Sequence, residues 1–332
     1  MPMKIPLSVL DLAPVPDGTP PSFAARRVVD LARLAEKLGF ERYWFAEHHS
    51  MPMVASSAPE ILIGHVASAT ERIRVGSGGI MLPNHAPLRI AEAFHTLAAL
   101  HPGRIDMGIG RAPGSEAGSS RALRAFNGEQ FSPLMSELLF LSQARFSAGH
   151  PLAKVRVMPD DVRLPPVWIL GSSGASAGAA GASGFGYAFA SHFSPEPPEP
   201  AIEAYRDAFQ PSDLFPKPHA VLAVAAICAP TEAEAQRLAL TMELVWLRMA
   251  RGEHAALPSP EEAEAYPWSE SERLQVQRMR GPSFVGTPAQ VCAELSDLQM
   301  RSKADELMIV TNVWNHEARL RSYELIAEAF AD

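Results

Sequence analysis

"RIRVGSGGIML" (residues 72–82) and "RIDMGIG" (104–110) are apolar runs of strand length, and the stretch between them, near residues 87–100, reads as a helix. Strands written as nearly continuous apolar runs, rather than in strict alternation, belong to a parallel sheet covered on both faces. The same unit recurs on either side. Upstream, "IPLSVLDL" (5–12) runs through a Pro/Gly-rich loop into a helix over 22–39, with Val28, Leu31, Leu34, Ala35 and Leu38 at helical spacing and Gly39 as C-cap. "RYWFAE" then reads as the second strand, followed by a helix near 58–70.

Downstream come a helix near 129–148, "PPVWILGSS" (165–173), an Ala-rich helix, "YAFASHF" (187–193), "AVLAVAAICA" (220–229), a helix near 231–250, "ADELMIVTN" (304–312) and a last helix. Eight strands alternating with helices predict an α/β fold, a (β/α)8 TIM barrel built as one domain over residues 1–332. Residues 111–128 and 251–285 are too long and polar for plain connections. They are expected as insertion segments at the C-terminal face, serving as lids or binding loops.

The 37 acidic residues outnumber 29 basic ones, for a net charge of −8, and no basic run occurs, which argues against nucleic acid or an anionic membrane as partner. A small-molecule substrate is the better expectation. Cys228 and Cys292 stand far apart outside any CxxC pattern, so neither a disulfide framework nor a zinc knuckle is indicated; both are expected as buried thiols. The amino-terminal stretch lacks a leader pattern, and no apolar run reaches about 18 residues, which predicts a soluble cytoplasmic protein.

In a barrel the active site is built from loops that follow the strands. Glu47, His48 and His49 end the second strand as "EHH". A metal is disfavoured there, because neighbours on an extended segment diverge and no HxH pair follows. One imidazole facing the cavity as an acid/base group and a strand-end histidine bound to backbone are equal readings of the spacing. Gly78 and Gly79 mark either a close approach by a flat molecule or a kink for barrel curvature.

"ILGSSGASAGAAG" (169–181) carries Gly171, Ser172, Ser173 and Ser176 from a strand into a helix start, which makes either a phosphate cradle or a serine-capped helix. Arg111, beside Pro113 and Gly114, supplies charge to such a phosphate or solvates a strand end. Thr287 with Pro288 is a helix-start signal without chemistry. No GxGxxG fingerprint is present.

Taken together, "AEHH" (46–49), "VGSGGIMLPNHAPLRIAEAF" (75–94) with "GRIDMGIGR" (103–111), and "GSSGASA" (171–177) resemble the bacterial luciferase-like flavin-dependent monooxygenases over nearly the whole chain. The resemblance implies a (β/α)8 barrel that holds reduced FMN at its C-terminal mouth, commonly as a homodimer. It implies a non-prolyl cis peptide at Gly78–Gly79 against the flavin, the phosphate on Gly171, Ser172, Ser173 and Ser176 with Arg111 nearby, and His48 as the catalytic histidine. The expected activity is oxidation of an aldehyde-like or other small organic substrate with O2. A separate flavin reductase would supply the reduced cofactor, since no second nucleotide-binding domain is visible.

Luciferase itself carries a reactive cysteine where this chain has Gly110, and its aldehyde pocket and mobile loop do not map onto residues 251–285, so light emission is not implied. A sister branch uses a deazaflavin and transfers hydride. Deazaflavin-dependent hydride transfer and non-catalytic flavin binding are therefore the alternatives, with a metal-dependent barrel hydrolase behind them.

Overall fold

The computed structural model describes residues 5–112, 114, 117–123, 130–279 and 283–331. Of the expected insertions, Pro113 and residues 115–116, 124–128 and 280–282 lie outside the described residues.

The strands, in chain order, are β1 (Leu7–Asp11), β2 (Arg42–Phe45), β3 (Arg74–Met81), β4 (Ile105–Gly110), β5 (Val167–Gly171), β6 (Gly186–Ala190), β7 (Ala220–Cys228), β8 (Ser283–Gly286) and β9 (Glu306–Val310). β1 to β7 pair in sequence order, β7 pairs β9, and β9 returns to β1 through Leu7↔Leu307, every pairing being parallel. The result is a closed eight-stranded barrel with helices outside, as the apolar runs predict.

The register fixes which side chains enter the barrel. Val9, Tyr43, Val75 and Ile105 are aligned partners whose side chains pack outward in the large strand–helix core. Their neighbours Leu10, Trp44, Ala188, Val221 and Met308 fill the barrel interior. Successive residues of a strand point to opposite faces, so Arg42, Trp44 and Ala46 share the inner wall.

At the N-terminal ends of the strands the interior is polar. Arg42 donates to Glu306 at 2.7 Å and to Asp106 at 2.9 Å, Trp44 Nε1 donates to Asp106 at 3.1 Å, and Arg74 pairs with Asp106 at 2.5 Å. Ser8 donates to Glu306, and His219 lies 3.1 Å from it. This network closes the lower end and leaves the upper end for chemistry.

Two features depart from the sequence reading. β8 is a ninth strand, paired only with Ala225–Cys228 of β7, beyond Ala223, the last partner of β6. Four residues at the end of a polar segment are too short to display a pattern. The second insertion also holds helices over Pro260–Ala265 and Glu270–Met279, which pack through Ala263 and Val276 on Leu244 and Leu247. It lies over the loop after β1, where Leu257 exchanges backbone hydrogen bonds with Val15 and Asp17. That is the C-terminal face, as expected, but none of the segment's described residues lines the large cavity there.

The helix expected over 129–148 runs only Phe131–Ser142, because Ala144 turns left-handed at φ 51°. The Ala-rich helix is a single short piece, Ala177–Ala182, stopped by Gly184 at φ +66°. Helix Pro198–Ala208 went unread, its proline-rich start masking an amphipathic pattern. Cys228 is buried, its thiol pushed up to about 12 by burial, whereas Cys292 is only half-buried. Among the described residues no helix is long and apolar enough to cross a membrane.

Candidate active site

A cavity of about 590 Å³ opens at the C-terminal ends of the strands, within the usual range of small-molecule sites. Its floor is the top of the barrel core, Leu10, Trp44, Ala188 and Met308. Phe131, Met135 and Leu139, on one helix, wall one side. Seven of the residues singled out in the sequence line it: His48, Gly78, Arg111, Gly171, Ser172, Ser173 and Ser176.

Gly79 is not among the residues that line it. A Cβ on Gly78 would stand 2.7 Å from Leu10 Cδ1 and 3.1 Å from Trp44, and one on Gly79 would stand 2.7 Å from the Gly108 carbonyl oxygen of β4. Both positions are claimed by the barrel's own packing, and Gly78 alone also faces the cavity. The peptide bond between them is cis.

His48 continues the inner wall of β2 past Ala46. Its amide donates to Ser56 O at 3.0 Å and its Nδ1 lies 3.3 Å from Gly114 O, which sets the ring's plane. Burial pulls its pKa below the usual histidine value, against the opposing effects of the Gly114 carbonyl and of Glu47. The ring is therefore neutral near pH 7, with one N–H and one lone pair.

Glu47 points the other way and is fully buried. Its Oε1 receives His49 Nε2 at 2.8 Å, His85 Nε2 at 2.9 Å and Asn84 Nδ2 at 3.0 Å, and its Oε2 receives the Met81 amide at 2.8 Å. Burial raises the carboxyl, yet these donors, His85 foremost, hold it below its ordinary value. In return His85, lowered by burial, is raised overall by Glu47. The "EHH" triad thus divides: His48 faces the cavity, and Glu47 with His49 ties the ends of β2 and β3 together. Among the described residues no group of three His, Cys, Asp or Glu is arranged to hold a metal ion.

Glu47→Gln keeps the shape but offers one acceptor oxygen to four donors. It is expected to cost roughly 1–3 kcal/mol in denaturant unfolding, and histidine NMR would show the His85 pKa falling.

The turn after β5 is drawn tight: a Cβ on Gly171 would lie 2.7 Å from Ser176 Oγ, and Gly174 sits at φ +71°. Among the described residues Ser173 and Ala175 make no hydrogen bond, so their amides and the Ser173 hydroxyl are free to receive an anion. Arg111, exposed at the end of β4 on the same cavity, has no carboxylate partner among the described residues.

His192 also lines the cavity. The signal was in "YAFASHF": Ala188 and Ala190 face inward, so His192 is next on that wall.

The family model described as luciferase-like monooxygenase matches residues 5–302. The chain belongs to this family. This luciferase-like monooxygenase is 42% identical over 321 residues to a "Luciferase-like monooxygenase" of Escherichia coli (strain K12), covering 97% of this chain and 96% of the relative. It is 34% identical over 328 residues to the "N-acetyl-S-alkylcysteine monooxygenase" of Bacillus subtilis (strain 168), covering 97% of each.

The crystal structure of apo-MsnO8 superposes with a TM-score of 0.90 at 38% identity over 98% of both chains. Two more distant structures share the fold with TM-scores of 0.71. One is the oxygenating constituent of 3,6-diketocamphane monooxygenase from Pseudomonas putida in complex with FMN, 18% identical over 98% of both chains. The other is an F420-dependent secondary alcohol dehydrogenase with an F420-acetone adduct, 16% identical over 99% of this chain and 100% of that one. The luciferase-like family marks the chain as an oxidoreductase.

Proposed function

We propose that this chain is a flavin-dependent monooxygenase that uses reduced FMN and O2 to oxidise an aldehyde-like or other small organic substrate. One observation carries the reading: a single cavity joins an anion-receiving turn to a neutral imidazole. The residues fit FMN. Ser172, Ser173 and Ser176 with Arg111 would hold the phosphate, through hydroxyls, free amides and one cation. Gly171 keeps the turn close, while Gly78 shapes the wall beside the ring system and Gly79 behind it lets β4 approach.

When bound, reduced FMN supplies the electrons that activate O2. Around it the chain's own groups exclude water and manage protons. Phe131, Met135 and Leu139 form an apolar wall, and His48 accepts or returns a proton at the nitrogen not turned toward Gly114. The Bacillus subtilis relative, whose name makes it a monooxygenase of N-acetyl-S-alkylcysteines, supports including thioethers among candidate substrates. We take the whole chain as one working unit, active as a homodimer and supplied with reduced FMN by a separate reductase.

Fluorescence titration of the purified chain with FMN, and in parallel with the deazaflavin F420, is the direct test; tight binding of F420 with none of FMN would transfer the assignment to hydride transfer. Arg111→Ala is expected to weaken FMN about 10- to 100-fold, the loss of one charge-assisted contact worth about 1.5–3 kcal/mol. An unchanged dissociation constant would remove Arg111 from the phosphate site. Turnover of an aldehyde and thioether panel with reduced FMN and O2 then tests catalysis against simple flavin binding.

A further inference from the structure

β2 and β6 lie four strands apart in the eight-strand ring, on opposite walls of the barrel mouth. Each carries one imidazole into the same cavity, His48 beyond Ala46 and His192 beyond Ala190. The His192 amide donates to Ala223 O at 3.1 Å, which ties it to β7 just past the end of β6. Its ring stands edge-on to Phe193, the centroids 4.7 Å apart and the planes at 87°. Nδ1 is sealed from solvent without a well-formed hydrogen bond, and the Ala223 carbonyl near the ring favours its protonated form.

The two rings are close enough that charge on His48 opposes charge on His192, and burial, the larger effect, pulls His192 down to about 4. No aspartate or glutamate is among the cavity-lining residues, and Arg111 is their one permanent charge among the described residues. A cation entering this cavity would meet no counter-charge among the described lining residues. The N–H of His48 is turned to the Gly114 carbonyl, so an uncharged group with a lone pair would find its donor on His192.

Resting on the proposed monooxygenase reading, we propose that His192 is the substrate-orienting residue of this site: from the wall opposite His48 it hydrogen-bonds an uncharged oxygen-bearing group of an otherwise apolar substrate, held between the two imidazoles. The floor of Leu10, Trp44 and Met308 receives the apolar part. With Nδ1 sealed away, the contact is made through the ring's other nitrogen, which ties recognition to a substrate lone pair that a protonated amine lacks.

The test uses FMN-free protein labelled with ¹⁵N at histidine, and two probes of one skeleton, 2-octanone and 2-aminooctane. At pH 7 the first is an uncharged carbonyl and the second a cation. 2-Octanone is expected to shift the ring nitrogens of both His48 and His192, and 2-aminooctane to shift neither. His192→Phe should weaken 2-octanone at least about tenfold, and His192→Gln, which keeps a donor and an acceptor, should stay within about threefold of the parent.

FMN affinity of both variants, expected within about twofold of the parent, checks that they fold. A shift at His48 alone, an equal response to the amine, no response to 2-octanone up to its solubility, or unchanged affinity in His192→Phe overturns the assignment. Loss of FMN binding in the parent would overturn the monooxygenase reading instead, and leaves these ring shifts as measured.

Discussion

Replacing His48 with glutamine is expected to lower substrate turnover by about 10²- to 10⁴-fold, the range that a positioned general acid/base contributes. FMN affinity should stay within about threefold, because the phosphate contacts proposed above are at Arg111 and the turn after β5, not at His48. Thermal stability should change little. His48 makes one long contact, 3.3 Å to Gly114 O, whereas Glu47, which ties the strand ends, is untouched. Equal loss of turnover and of folding would assign His48 a structural role.

The pH profile adds an independent reading. Burial lowers the His48 pKa from its ordinary 6.5, so the neutral ring persists into mildly acidic solution. If turnover needs the neutral imidazole, the rate holds as pH falls to about 6.5 and declines below it; that limb should vanish in His48→Gln. His192, at about 4, is neutral throughout this range and adds no second limb. A decline setting in well above pH 6.5 would point to a different group.

What the sequence disclosed follows from how local each signal is. The eight barrel strands are legible because each is apolar on both faces, and β8 is not, because it leans on a single neighbour at the barrel's edge. Five of the seven cavity residues named from the sequence, Gly78, Gly171, Ser172, Ser173 and Ser176, are legible because small-residue turns and paired glycines stand out in "VGSGGIML" and "GSSGASA". The same signal picks out Gly79, whose missing side chain makes room for the backbone of β4.

His192 needed an inference of another kind. Its neighbours in sequence are ordinary, and only strand parity combined with the order of strands around the ring sets it opposite His48. Likewise Glu47 and His49 stand beside His48 in the sequence, while alternation sends Glu47 to the far side of the strand, toward His85, 38 positions away. Partners that distant are invisible to any window along the chain.

At the opposite end of the barrel, Asp106→Ala is expected to be the most destabilising single change outside the apolar core, at about 3–5 kcal/mol, the usual cost of removing one partner from a buried ion pair. Asp106 accepts from Arg42, Arg74 and the Trp44 indole, and all of its surface is buried. Without it, Arg42 keeps only Glu306 while its guanidinium stays packed 4.8 Å from the centre of the Trp168 ring.

Acid should reproduce the loss in the parent protein. Burial raises the Glu306 carboxyl, but Arg42 and His219 outweigh it and bring it down to about 2, from 4.5 in an unfolded chain. Asp106 is likewise held below its ordinary 3.8 by the arginines. Unfolded chains therefore bind more protons than folded ones between about pH 4.5 and 2. The stability these carboxylates contribute is complete above that window and lost as pH falls through it. Urea unfolding of parent and Asp106→Ala at pH 7 and pH 3 should show the gap between them narrowing at the lower pH. A gap of the same size at both would mean that the charge pair does not hold the lower end of the barrel.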